Sequence, residues 1–181
     1  MAVEVGIRCN IWRNKGQRND LSSTQIEIAN KTLKEWNPKL VCGAMEEEGD
    51  IPKGYFDIVY SIYALGWTLD LRKTLELIYS YVKPGGSFIF SWEHPVYSNL
   101  QYGTEEVAIK SSYHKETPIT FETFKGENVQ ATLYKRKIST YINELNRAGF
   151  KIERIEDVFS RAKIQRSATQ NTEVSNLTWS L

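Results

Sequence analysis

Four short stretches hold the residues whose types could do chemistry. Glu93-His94-Pro95 sets a histidine directly behind an apolar run. Its imidazole changes charge near neutral pH, so it could serve as a general base or substrate contact; the plainer reading is a structural histidine. Ser61 and Tyr63 follow the run Phe56-Asp57-Ile58-Val59-Tyr60 and offer a hydroxyl and a phenol, with ordinary packing as the alternative. Gly43-Ala44-Met45-Glu46 follows Leu40-Val41-Cys42. Met45 suits a flat ring or a core gap equally. Glu46 opens the acidic run at residues 46–48, whose plain reading is a solvated loop. Asp20-Leu21 stands at a helix start, where an acid suits the helix dipole. Cys9 and Cys42 lack C-x-x-C spacing and a histidine cluster, so two reduced thiols and no metal site are expected.

The elements that must position these residues are legible from period and punctuation. Residues 22–36 read as a helix, with Ser22 and Gln25 as a capping box and Ile26, Ala29, Leu33 and Trp36 on one face. A short strand at residues 40–42 follows, then an acidic loop, then a strand over residues 56–60 whose apolar character suits cover on both faces. A helix over residues 69–82 shows a stripe of Leu71, Leu75, Ile78 and Val82, broken by Lys83-Pro84-Gly85-Gly86. Residues 87–92 form another buried strand, which completes a βαβ unit with a parallel pair. Residues 95–130 read as a lid or insertion. A third helix spans residues 139–148 with Gly149 at its end, and residues 150–155 alternate as a strand. Residues 160–181 read as a loose tail, with an edge strand from Val174 to Leu181. At the start, Val3, Val5 and Ile7 read as a short strand, and the polar run 13–19 has nothing to bury as one.

The alternation gives an α/β fold with a mainly parallel sheet flanked by helices in a single domain over 1–181. Ligands of such sheets bind beyond the carboxyl ends of the strands, and all four chemical stretches fall there. A length of 181 residues fits one domain with a sizeable core. A net charge of +1 gives no reason to expect nucleic acid or a membrane surface as partner. The longest apolar run, Phe56 to Trp67, is too short to span a bilayer, and no signal-peptide region opens the chain, so a cytoplasmic protein is expected.

The same stretches resemble the class I S-adenosylmethionine-dependent methyltransferases, in the small-molecule, methyltransferase type 11-like branch. Asp20-Leu21-Ser22 with its helix resembles that family's second-strand end. Val41 to Glu46 is similar to its adenine-contacting turn, though Ala44 stands where the family often has Asp. Tyr55 to Ser61 looks like its fourth-strand motif, and Val82-Lys83-Pro84-Gly85-Gly86-Ser87-Phe88 is very like its "LKPGG" turn. Ser91-Trp92-Glu93-His94-Pro95 resembles the "S-x-E-H-P" strand end, and Ser139 to Phe150 the closing helix and strand of that branch. The resemblance covers roughly residues 20–157. It implies a Rossmann-like fold and S-adenosyl-L-methionine as cofactor. It also implies cofactor contacts at Gly6, Asp20, Leu21, Ala44, Met45, Glu46 and Ser61, with Asp20 on the ribose hydroxyls. His94 and Tyr63 fall on the acceptor side, and no metal is implied.

One motif departs. The family opens with E-x-G-x-G-x-G, whose glycines let backbone N–H groups approach the cofactor. Here Val3-Glu4-Val5-Gly6 supplies a strand and first glycine, and Ile7-Arg8-Cys9-Asn10 follows without another. The stretch from Gly6 to Asp20 is also too short for loop, helix and a parallel strand together. The expected function is methyl transfer to a small acceptor, with a catalytically inactive, methyltransferase-like partner subunit as the alternative. A nicotinamide enzyme fits worse, since G-x-G-x-x-G is absent too. A sheet lacking its first elements would expose edges and apolar faces, which predicts a homodimer.

Overall fold

The computed structural model describes residues 7–8, 17–20, 23–102, 106–122, 131–158 and 176–180. Its centre is the βαβ unit. Strand β4 (Phe56–Ile62) and strand β5 (Val82–Glu93) pair in parallel, joined by helix α2 (Leu71–Tyr81). Asp70 caps α2, its carboxylate accepting from the Lys73 N–H at 3.0 Å. Leu71, Leu75 and Ile78 come down on one side of the sheet against Val59, Phe88 and Phe90. Helix α3 (Ile138–Ala148) packs beside α2 and adds Tyr141 and Leu145 to this core. It ends at Gly149, whose φ of 105° lies in the left-handed region that a side chain disfavours. The Lys83-Pro84-Gly85-Gly86 turn is held by Lys83 Nζ, which donates to both Asp57 oxygens at 2.9 Å.

The remaining strands are β1 (Ile7–Arg8), β2 (Gln17–Asp20), β3 (Lys39–Cys42), β6 (Leu100–Tyr102), β7 (Val107–Ile109), β8 (Pro118–Phe121), β9 (Ala131–Tyr134), β10 (Arg154–Val158) and β11 (Asn176–Ser180). The seven-stranded main sheet has the order β10-β11-β5-β4-β1-β2-β3. β2 and β3 run parallel to β4, β5 and β10, while β1 and β11 run against them. Helix α1 (Ser23–Thr32) joins β2 to β3 and packs on both. β2→β3 and β4→β5 step in opposite directions along the sheet, so right-handed crossovers put α1 and α2 on opposite faces.

Several expectations are corrected. The polar run does yield a strand: β2 pairs with β3 from Gln17↔Lys39 to Asp20↔Cys42, so backbone pairing suffices without an apolar face. β11 is no edge strand. It lies between β5 and β10, and both neighbours supply its hydrogen bonds. Residues 176–180 are therefore not loose, while residues 159–175 lie outside the described residues. The strand expected over residues 150–155 begins at Arg154. Phe150 and Ile152 pack on the core first, with the Phe150 ring 5.0 Å from Tyr79 and 5.5 Å from Phe88. β4 is covered on one face rather than two. Val59 and Ser61 are buried, but Ile58 is 44% and Ile62 37% exposed. Val3, Val5, the Ser22–Gln25 capping pair and the Trp36 side chain lie outside the described residues. The described strands between residues 100 and 134 stand apart from the main sheet as two hairpins, β6-β7 and β8-β9.

Candidate functional site

The carboxyl ends of four parallel strands meet one edge of the sheet. Asp20 closes β2 beside Cys42, the last residue of β3. Ile7 of β1 is level with Asn19 on one side and Ser61 on the other. Ile62 pairs with Ser91 two residues before β5 ends. The four stretches singled out in the sequence thus share one rim, because parallel strands in register end together. Gly6 and Leu21 lie outside the described residues, as does the side chain of Asp20.

On the β3 side, Ala44 and Met45 form the turn after Gly43; Ala44 O accepts from the Glu47 N–H at 3.2 Å, and Met45 packs against the core. Glu46 binds the loop after β4, accepting from Thr68 Oγ1 at 3.0 Å and from the Leu69 N–H at 3.2 Å. Buried Thr68 shares a 2.6 Å hydrogen bond with Thr74. Ser61 is fully buried, and its hydroxyl has no hydrogen-bond partner among the described residues.

On the β4–β5 side, Tyr63 leaves β4 with φ at +53°, a conformation uncommon outside glycine, while its N–H donates to Ser91 O at 3.0 Å. Its ring lies 6.2 Å from Trp92. Burial raises its phenol pKa first, and the charge of Glu93 adds to the shift. His94 accepts the Val96 N–H on Nδ1 at 3.2 Å, with its ring edge-on to Tyr97. Glu93 is half-buried; desolvation lifts its carboxyl above the usual range, against the charges of Lys135 and Lys110.

The two hairpins are tied to this rim by residues that the sequence reading passed over. Buried Arg136, between β9 and α3, donates to Thr68 O at 2.7 Å and Leu65 O at 3.3 Å, and its guanidinium lies 4.7 Å from the Tyr134 ring centre. Trp67 meets Phe121 of β8 at 6.2 Å. Lys135 Nζ donates to Ser98 O, Ser111 Oγ and Asn99 Oδ1. The one signal was the basic triplet Lys135-Arg136-Lys137 before a helix, which reads equally well as a solvated face.

Residues 12–90 match the methyltransferase domain family. The chain superposes on an S-adenosylmethionine-dependent methyltransferase from Mesorhizobium loti with a TM-score of 0.70 and 25% identity, over 90% of this chain and 77% of that one. Residues 12–90 thus resemble a methyltransferase domain, and the chain has the Rossmann-like fold of S-adenosylmethionine-dependent methyltransferases. Two curated relatives agree in part. An uncharacterized protein of Haemophilus influenzae is 26% identical over 151 residues, 76% of this chain and 59% of that protein. A malonyl-[acyl-carrier protein] O-methyltransferase of Priestia megaterium is 39% identical over 72 residues, 40% of this chain. The chain spans 59% and 26% of the lengths of these two relatives.

The described residues at this rim fit S-adenosylmethionine unevenly. The register of Asp20 beside Cys42 places a carboxylate-bearing position next to the Gly43–Glu46 turn, an arrangement that suits an adenosine half. The other half differs. β1 is reversed: it runs antiparallel to β2 and β4, so its carboxyl end points away from this rim. No group of three or more metal-ligating side chains occurs among the described residues. No helix among them is long and apolar enough to cross a membrane.

Proposed function

We propose that this domain transfers the methyl group of S-adenosylmethionine to a small-molecule acceptor. The observation that carries the reading is the common rim, where Asp20, the Ala44-Met45-Glu46 turn, Ser61-Tyr63 and His94 stand at the carboxyl ends of four strands that run the same way. The cofactor supplies a methyl group already activated on a sulfonium, so the chain's task is alignment. Asp20 would hold the ribose hydroxyls, and Met45 with the backbone of the Ala44 turn would face the adenine. Gly6, Leu21, Glu46 and Ser61 complete the proposed cofactor side. Tyr63 and His94 would line the acceptor side. The proposed setting is the cytoplasm, without nucleic acid or membrane as partner.

A second reading is an inactive, methyltransferase-like subunit that keeps the fold. The reversed direction of β1 favours it, because the carboxyl end of β1 points away from this rim. Calorimetric titration with S-adenosylhomocysteine decides between the two. Micromolar binding to the folded protein supports transfer, and a folded protein that does not bind supports the partner role.

A further inference from the structure

We propose that the outer edge of β7 pairs with β7 of a second copy of this chain, antiparallel and centred on Ala108. Two β6-β7 hairpins then join into one four-stranded sheet. The pairing needs no cofactor and stands apart from the methyltransferase reading.

β7 has an open edge. It bonds to β6 on one side, and no described strand pairs with the other. Ile109 is 80% and Val107 57% exposed, and Glu106, Ala108 and Lys110 are exposed beside them. A lone two-stranded hairpin is marginal in water, and an apolar edge strand is a template for another strand.

The backbone of that edge fits its own copy. The Lys110 N–H donates to Asn99 O at 2.8 Å, on the β6 side. Backbone groups alternate sides along a strand, so those of Ala108, which pairs with Gln101, also face β6. The N–H and C=O of Val107 and Ile109 therefore point out of the open edge. With Ala108 at the two-fold axis, Val107 of each copy stands opposite Ile109 of the other. Each such pair exchanges two hydrogen bonds between outward-pointing groups. A slip of one residue would set outward groups against inward ones and break this match.

The charges fix the same register. Glu106 of each copy stands opposite Lys110 of the other, at non-hydrogen-bonded positions where facing side chains come closest. Opposite charges facing each other across strands stabilise, and like charges destabilise. A slip of two residues either way loses both ion pairs. A parallel pairing would set Glu106 against Glu106 and Lys110 against Lys110. On one face of the joined sheet, Val107 and Ile109 of both copies make an apolar cluster. On the other, the two Ala108 side chains lie between the ion pairs.

The test is sedimentation equilibrium of the full chain over a range of concentrations. The parent should form a reversible dimer. Glu106→Lys and Lys110→Glu should each weaken it by about tenfold or more, since each variant sets like charges face to face. The double variant Glu106→Lys with Lys110→Glu should dimerise again, and so should an equimolar mixture of the two single variants. This rescue separates a lost contact from a damaged fold. A monomeric parent, single variants that dimerise as the parent does, or a double variant and mixture that stay dissociated overturn the proposal. A dimer lost in Ile58→Arg with Ile62→Arg but kept in Glu106→Lys lies on the open face of β4 and overturns it as well.

Discussion

Glu93 and His94 adjoin in sequence, yet their hydrogen-bond situations are opposite. His94 has its Nδ1 occupied, whereas Glu93 is bonded by no described donor. This has a consequence for stability. A carboxyl whose pKa is raised on folding binds its proton more tightly in the folded state, so its ionised form costs stability. The cost is absent below the ordinary glutamate pKa and appears as pH rises through the raised one. Glu93→Gln should therefore melt higher than the parent at neutral pH, with the gap closing in acid below about pH 4. Thermal scans across pH check this, and an equal gap at all pH values would refute it. Two further substitutions separate the sides of the rim. Asp20→Ala should abolish S-adenosylhomocysteine affinity in calorimetry, and unchanged affinity would remove the ribose assignment. His94→Ala should lower turnover more than cofactor affinity, and equal loss of both would make His94 structural.

At the scale of elements, connection length decides strand direction. A parallel return needs a crossover of about a dozen residues or more, and only residues 9–16 separate β1 from β2. An antiparallel pair fits this length, and β1 runs that way. The shortfall was legible in the sequence, but the reversal that resolves it was not. The 69–82 and 139–148 helices were legible because their apolar stripes are local. β2 was missed because its partner is β3, and nothing in Gln17-Arg18-Asn19-Asp20 announces a partner. β11 was placed at an edge for the same reason. The loop between β4 and α2 yields a stability prediction. A Cβ on Gly66 would lie 1.8 Å from Trp92 Cζ2, inside the buried wall of the site. Gly66→Ala should cost about 1–3 kcal/mol in urea unfolding, and an unchanged midpoint would show that Trp92 can move aside.

At the scale of the molecule, the opposed crossovers leave a gap in cover. α2 and α3 shield one face of β4 and β5, while α1 sits over β2 and β3. Ile58 and Ile62 on the other face stay exposed. The expected homodimer would bury such a face. If it forms there, Ile58→Arg combined with Ile62→Arg should convert a dimer to a monomer in light scattering. A monomeric parent would refute it. The sequence by itself determined the α/β class, α2, α3, the βαβ unit and the stretches that reach the rim, because helical period, capping and turn chemistry act over a few residues. Only the tertiary structure decided that β1 is reversed, that β11 lies inside the sheet, that Arg136 and Lys135 bond residues of distant loops, and that Glu93 has no bonded donor among the described residues. Each of these depends on groups far apart in the chain, and local pattern carries no record of which distant partner a strand edge or a charge will meet.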